Sequence, residues 1–381
     1  MAPNLFGTSA TIFLEAAQQD IRLEKPIETS AKIAPVQQLS EETPQSKQPK
    51  YKWKIVWRNV IAFLYLHIGA LYGLYLLFTG AKGLTAIWTV LVAAFAALGV
   101  TAGAHRLWAH RAYKANLPLR IILMLLQSTA FQNHIYEWVR DHRVHHKFTD
   151  TDADPHNAER GFFFSHMGWL LVRKHPDVIK KGAVVDMSDL EKDSVVVWQR
   201  RLYLLIMPLC CFFIPTWVPC HFWGERGMYA WYATLFRYTL SLNLTWLVNS
   251  AAHIWGYKPY DDSISPTDSL RIGVAAFGEG WHNYHHVFPW DYKAAELGNY
   301  NVNFTTAFID FFAMLGWAYD LKTVPVEMIE KRAARTGDGT RIGRNKDGIQ
   351  HHSHDGAIWG WGDADMKVED MKKAKILNKY D

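Results

Sequence analysis

The chain has 381 residues, 49% apolar and 14% aromatic, with a formal net charge of +5 and three cysteines. That length suits one large or two ordinary domains. The modest charge gives no reason to expect a nucleic-acid partner, and Cys210, Cys211 and Cys220, all in one apolar run, cannot build a disulfide framework. Mean hydropathy is −0.11, so the apolar residues must be concentrated in segments.

Residues 1–50 are rich in Gln, Pro, Ser, Thr, Glu and Lys and read as a disordered tail. No charged n-region, long apolar stretch and small-residue cleavage site marks a cleaved signal peptide. A basic aromatic collar, Lys50–Arg58, leads into Val60–Gly80, an uncharged run long enough to span a bilayer. After a short turn, Leu84–Ala104 is a second such run, so the two form a helical hairpin. Ile121–Phe131 is too short to cross and reads as a buried or re-entrant helix. A polar stretch over residues 140–201 follows. The third span is Leu202–Trp223, kinked by Pro208 and Pro215, and the fourth is Met228–Val248, with Arg237, Asn243 and Thr245 inside it. Phe304–Trp317, interrupted by Asp310, reads as an amphipathic helix lying on the membrane. The two short turns hold one basic residue each, Lys82 and Arg226. The positive-inside rule then puts both termini and the middle segment in the cytosol.

Three histidine boxes fall on that one side. Asp141–Lys147 holds His142, His145 and His146, and Gly280–Val287 repeats the spacing with His282, His285 and His286. Spacings of three and four bring side chains onto one helix face. Neutral imidazole suits iron, zinc and copper. His105 and His110 make the third box. Five residues amount to about 140° around a regular helix, so this pair can share a site only by flanking it or if the helix end is distorted. His253 and Asn249 lie one turn past the fourth span. A single cluster could arise from surface composition; two with identical spacing do not. Nine imidazoles are too many for one ion and fit two. Asp141 and Glu279 are candidates to fix histidine tautomers, or are plain solvated charges. His156, His166 and His175 read as structural, and His351, His352 and His354 form a tail cluster with no assigned role.

The phrases TAGAHRLWAHR, EWVRDHRVHHKF, DADPHN, RGFFFSHMGWLLVRKHP, NSAAHIWG and GEGWHNYHHVFPWDY resemble those of the membrane acyl-CoA desaturases of the stearoyl-CoA Δ9 type. The likeness covers roughly residues 50–335. It implies an all-α, multi-pass membrane protein with four transmembrane helices in two hairpins and a cytosolic helical cap holding a di-iron site. The tails would be 1–50 and 336–381. The desaturase domain, 51–335, would have spans near 60–80, 84–104, 202–223 and 228–248 and a cap from 105–201 and 249–335.

Carried over by position, His105, His110, His142, His145, His146, His253, His282, His285 and His286 would hold two Fe(2+) ions, with Asn249 acting through a water. Asn59, Asn133, Arg140, Asp141, Arg173 and Lys174 would hold the CoA head; Gln132, Trp138, Thr245 and Trp246 would line the bend of the acyl tunnel. Ala93 and Ala97 would sit at its blind end, where small residues suggest a deeper pocket than in the vertebrate stearoyl enzymes. The activity implied is O2-dependent insertion of a cis double bond into a saturated fatty acyl-CoA. Its electrons would come from cytochrome b5 and its NADH-dependent reductase at the endoplasmic reticulum membrane, and Lys180 and Lys181 are candidate docking residues for b5. Another regiochemistry such as Δ11, a membrane fatty-acid hydroxylase, and a histidine-rich metal transporter are the competing readings.

Overall fold

The computed structural model describes residues 52–296, 300–341 and 357–380. The N-terminal tail and the His351, His352, His354 cluster lie outside them. The helices that position the site are α1 (Trp57–Thr79), α2 (Gly83–Ala109), α3 (Leu117–Ala130), α4 (Ile135–Phe148), α5 (Ser194–Trp223), α6 (Gly227–Asn249), α7 (His282–Val287) and α8 (Phe304–Met314). The expected all-α cap also carries two short antiparallel ladders. β1 (Lys114–Ala115) pairs with β2 (Ala318–Tyr319), and β3 (Leu321–Thr323) pairs with β4 (Lys375–Leu377).

Among the described residues, α1, α2 and α5, of 23, 27 and 30 residues, are long and apolar enough to cross a membrane. Their outward residues are apolar: Ile61, Leu64, Ile68, Leu71 and Phe78 on α1, Ile87 and Val90 on α2. A helix packed on a water-soluble core would expose polar residues there.

The fourth expected span, α6, is a helix as long as α1 but is not in that apolar set. It is an inner helix, so its polar groups find partners within the protein. It packs along α1, with Tyr72 against Tyr232 at 4.7 Å and Phe63 against Trp246 at 5.5 Å. Arg237 is 1% exposed. Its guanidinium donates to the carbonyls of Thr129 at 2.9 Å and Cys211 at 2.6 Å. Pro215, four residues after Cys211 in α5, has no N–H to give that carbonyl. Pro208, Pro215 and a third proline, Pro219, flank and follow the π-turn Leu209–Phe213 in the middle of α5.

The two short turns meet each other. Lys82 Nζ donates to the carbonyls of Trp223 and Gly224, and Glu225 accepts from Lys82 N at 2.8 Å and Thr85 Oγ1 at 2.6 Å. At the opposite ends of these helices sits the cap. α3, with 14 residues, is too short to cross, as expected. The Asn116 side chain caps its start by accepting from Leu119 N. α8 buries Thr305, Thr306 and Ile309 and exposes Phe304, Phe311 and Met314, an amphipathic division. Although the sequence sets 336–381 apart as a tail, β4 pairs with β3, and Met366 joins the core of Tyr260, Tyr284, Phe288, Trp290 and Val324.

Candidate metal centre

Of the two ways His105 and His110 could share a site, the last part of α2 takes the distorted helix end. Gly99–Ala109 is a π-helix, in which each N–H reaches back five residues instead of four. The His110 N–H closes such a ring on the His105 carbonyl at 3.1 Å. Residues five apart therefore lie one turn apart, and the two imidazoles stand 4.7 Å from each other, edge to face. Arg143, fully buried on α4, holds this end by donating to the carbonyls of Trp108 at 2.8 Å and Ala109 at 3.1 Å.

All nine histidines come together, in two groups. His105, His110, His142, His146 and His285 form the first; His145, His253, His282 and His286 form the second. Within each group the nitrogens lie within 4.8 Å of one another. Each three-histidine box is divided between the groups. On α4 the i, i+4 pair His142 and His146 serves the first group while His145 crosses to the second. On α7 the i, i+4 pair His282 and His286 serves the second while His285 crosses to the first. The shared spacing thus builds two adjacent sites related by exchange of one ligand, not one site per helix face.

Nε2 atoms converge. His105 meets His285 at 2.9 Å, His110 meets His142 at 2.8 Å, and His146 meets His285 at 3.1 Å. In the second group His282 meets His253 at 3.0 Å and His286 at 3.2 Å. Several of the Nδ1 atoms face outward onto acceptors. His105 Nδ1 lies 2.8 Å from Glu279, His145 Nδ1 lies 3.0 Å from Asp154, His253 Nδ1 lies 3.1 Å from Ser265 Oγ, and His110 Nδ1 bonds the Trp359 carbonyl. An outward Nδ1–H leaves a bare lone pair on Nε2 aimed at its neighbours, an arrangement that a cation between them satisfies. Burial, reinforced by the neighbouring imidazoles, pushes His142, His146, His282, His285 and His286 well below the ordinary histidine range, so they are neutral and in the ligating form. Nine imidazoles in two adjoining groups fit a pair of metal ions.

Of the acyl-bend candidates, Trp138 meets the first group. Trp138 lies parallel to His142, with ring centroids 4.8 Å apart. Its indole N–H points to Gln132 Oε1 at 3.4 Å, and Gln132 Nε2 donates to Thr245 Oγ1 at 2.9 Å. Trp246 is buried beside Phe63 and His166. Of the CoA-head candidates, Arg140, Asp141 and Lys174 cluster: Lys174 Nζ lies 2.6 Å from Asp141 and 3.3 Å from Glu137, and Arg140 lies 3.6 Å from Asp141. Burial raises the Asp141 carboxyl, but Lys174 and Arg140 overcome it and hold the group below its ordinary value. Asn59 donates to the Leu170 carbonyl at 2.7 Å, Arg173 is exposed, and Asn133 is exposed in the left-handed region at φ 66°. Asn249 ends α6, half-buried, and Ala93 and Ala97 are half-buried on α2.

A fatty acid desaturase family model matches residues 81–297, more than half of the chain. The chain belongs to the fatty acid desaturase family. It is 58% identical to an acyl-CoA Delta-9 desaturase of Acheta domesticus over 99% of this chain and 98% of the relative. It is 57% identical to an acyl-CoA Delta12-desaturase of the same species over 86% of this chain and 88% of the relative. Against an acyl-CoA Delta(11) desaturase of Spodoptera littoralis the identity is 53%, over 86% and 91%.

Sequence reasoning misses several residues that hold this family's histidines in place. Glu279 does touch a histidine and is shared with Arg106, which reaches it at 2.7 Å. Asp141 does not fix a tautomer; it pairs with Lys174. Asp154, in DADPHN, does that for His145. Arg106 and Arg143 sit inside the boxes, and their place beside the histidines was the available signal. Trp359 acts through its carbonyl, which no side-chain pattern reveals.

Proposed function

We propose that this acyl-CoA desaturase inserts a cis double bond at Δ9 of a saturated fatty acyl-CoA, using O2 and electrons from cytochrome b5 and its NADH-dependent reductase. The observation carrying the reading is the convergence of nine imidazoles, seven of them buried and two half-buried, in two groups beside the Trp138–Gln132–Thr245 chain. These imidazoles would hold a pair of Fe(2+) ions, with Asn249 contributing through a water, and the ions would supply the oxygen-activating chemistry. The protein's own part is placement. A methylene chain offers no polar handle, so a rigid bend lined by Gln132, Trp138, Thr245 and Trp246 must choose the carbon pair. Trp138 carries that bend directly onto His142. Arg140, Lys174, Arg173, Asn59, Asn133 and Asp141 receive the CoA head, the three basic side chains meeting its phosphates.

The contact between the two short turns supports a reading of four crossings. α1, α2 and α5 are apolar enough to span. α6 starts beside Lys82 at the far end and must return to bring His253 to His282. Both termini and the histidines then face the cytosol of the endoplasmic reticulum, where b5 can reach them.

The Δ9 assignment rests on identity to the Delta-9 relative over almost the whole of both chains. A second regiochemistry is favoured by one observation: Ala93 and Ala97 are both small, and relatives named for Delta-11 and Delta-12 activity are nearly as similar. Expression in a desaturase-deficient host, followed by lipid extraction and double-bond localisation, separates the two. Δ9 monoenes are expected from the parent and none from His145→Ala, with two irons per purified chain. Products at Δ11 or Δ12, or hydroxylated acids, would replace the Δ9 reading, and Ala93→Tyr is expected to shorten the preferred chain.

A further inference from the structure

We propose that residues 358–366 form a clasp that positions His110 as a ligand of the first histidine group, an inference that rests on the di-iron reading above. His110 stands just past the end of α2, where no further helical turn restrains it. The C-terminal segment grips it from two sides. The Trp361 N–H donates to the His110 carbonyl at 2.9 Å, and the Trp359 carbonyl meets His110 Nδ1. A carbonyl can only accept. Nδ1 must therefore carry the proton, and Nε2 is left bare toward His142.

Between the two tryptophans, Gly360 lies flat on the His110 backbone. A Cβ there would come 2.5 Å from the His110 carbonyl oxygen and 2.7 Å from its Cα. The clasp is itself anchored to α4. Asp363 accepts from the Trp359 N–H at 2.8 Å and pairs with Lys147 at 2.8 Å. The Trp359 ring lies under the guanidinium of Arg143 at 4.0 Å and that of Arg111 at 4.8 Å. Arg143 in turn holds the carbonyls at the end of α2. One loop thus touches the ligand's backbone, its ring and the arginine that fixes its helix, and it lies beyond the residues matched by the family model.

Partners of this kind that orient a metal-bound histidine change metal affinity by about 10–100-fold when removed. The test compares the full-length parent with Gly360→Ala and, as a milder variant, Asp363→Asn. Each is purified in detergent and titrated anaerobically with ferrous iron and, separately, with cobalt(II). Metal per chain, the cobalt ligand-field absorption and the melting temperature are recorded. The parent is expected to take two ions. Gly360→Ala is expected to bind one of them about 10–100-fold more weakly with a changed cobalt spectrum, Asp363→Asn by a smaller factor, and the other ion as the parent does.

Parental affinities and spectra in both variants would overturn the clasp. So would parallel loss of both ions together with a fall in melting temperature, since that is what a merely structural role gives. A parent that takes up no metal defeats the di-iron reading itself, and the clasp with it.

Discussion

Arg237 and Lys322 are buried cations whose hydrogen-bond acceptors are carbonyls instead of carboxylates, and the fold treats them differently. Arg237 uses its planar fork to satisfy two carbonyls that the ends of α3 and the proline-broken α5 leave open. Arg237→Met strands both, at about 1–3 kcal/mol for each. Its melting temperature in detergent should fall markedly, and Arg237→Lys should recover only part of the loss because an ammonium cannot present the fork. A parental melting temperature for the Met variant would contradict this role. Lys322 is 4% exposed; its ammonium donates to the Asp320 carbonyl at 3.2 Å and lies 5.4 Å from the centre of the Trp361 ring. Burial pushes its ammonium down from 10.5 to about 8, with Asp320 opposing in part. The folded state therefore disfavours the charged form. Below pH 8 it carries the whole cost; as pH rises from 8 to 10.5 the unfolded chain holds more protons and stability increases, by roughly 3 kcal/mol in all. Lys322→Met removes the titrating group. Melting curves from pH 7 to 10 should show a gain at pH 7 and a flatter profile, and an unchanged slope would count against the assignment.

At the scale of elements, the π-helical end of α2 decides whether the first histidine group can form. The spacing of His105 and His110 already shows that the pair must flank the site or that the helix end must be distorted; which of the two holds was not legible, because it depends on tertiary packing. Gly99 opens the π-segment where α3 presses on it: a Cβ there would lie 2.2 Å from the Gln127 nitrogen and from the Leu126 carbonyl carbon. These are backbone atoms, so the added methyl can be accommodated only by moving a helix. Gly99→Ala is expected to lower the melting temperature steeply and to reduce bound iron, whereas at Gly83, with nothing within 4 Å, alanine should leave both within error. Equal behaviour of the two variants would show that the close approach is not what sets the π-segment. The histidine boxes themselves were legible, since i, i+3 and i+4 spacings have a direct geometric meaning. Their division between two groups was not, because it follows from how α4 and α7 face each other.

At the scale of the molecule, α1, α2 and α5 are apolar enough to span because their outward faces are apolar, whereas α6, which the sequence also reads as a span, falls outside that set because it is shielded by α1 and carries its polar groups inward. The clasp was illegible for a related reason: AIWGWGDADM reads as a Gly-rich tail, and it acts through backbone groups. The orientation argued from Lys82 and Arg226 bears directly on the proposed function, since a donor at the cytosolic face can reduce the centre only if the histidines face it. Gly83 lies at the turn joining α1 to α2, and Val184, 75% exposed, lies in the cap. In sealed microsomes with the cytosolic face outward, a membrane-impermeant maleimide should label Val184→Cys above the background of the native cysteines and leave Gly83→Cys unlabelled until detergent is added. Both sites are uncrowded, so access and not packing controls the reaction. Labelling of Gly83→Cys alone would invert the chain and put the centre on the face its electrons cannot reach; labelling of both before detergent would mean that α1 and α2 do not cross as a hairpin.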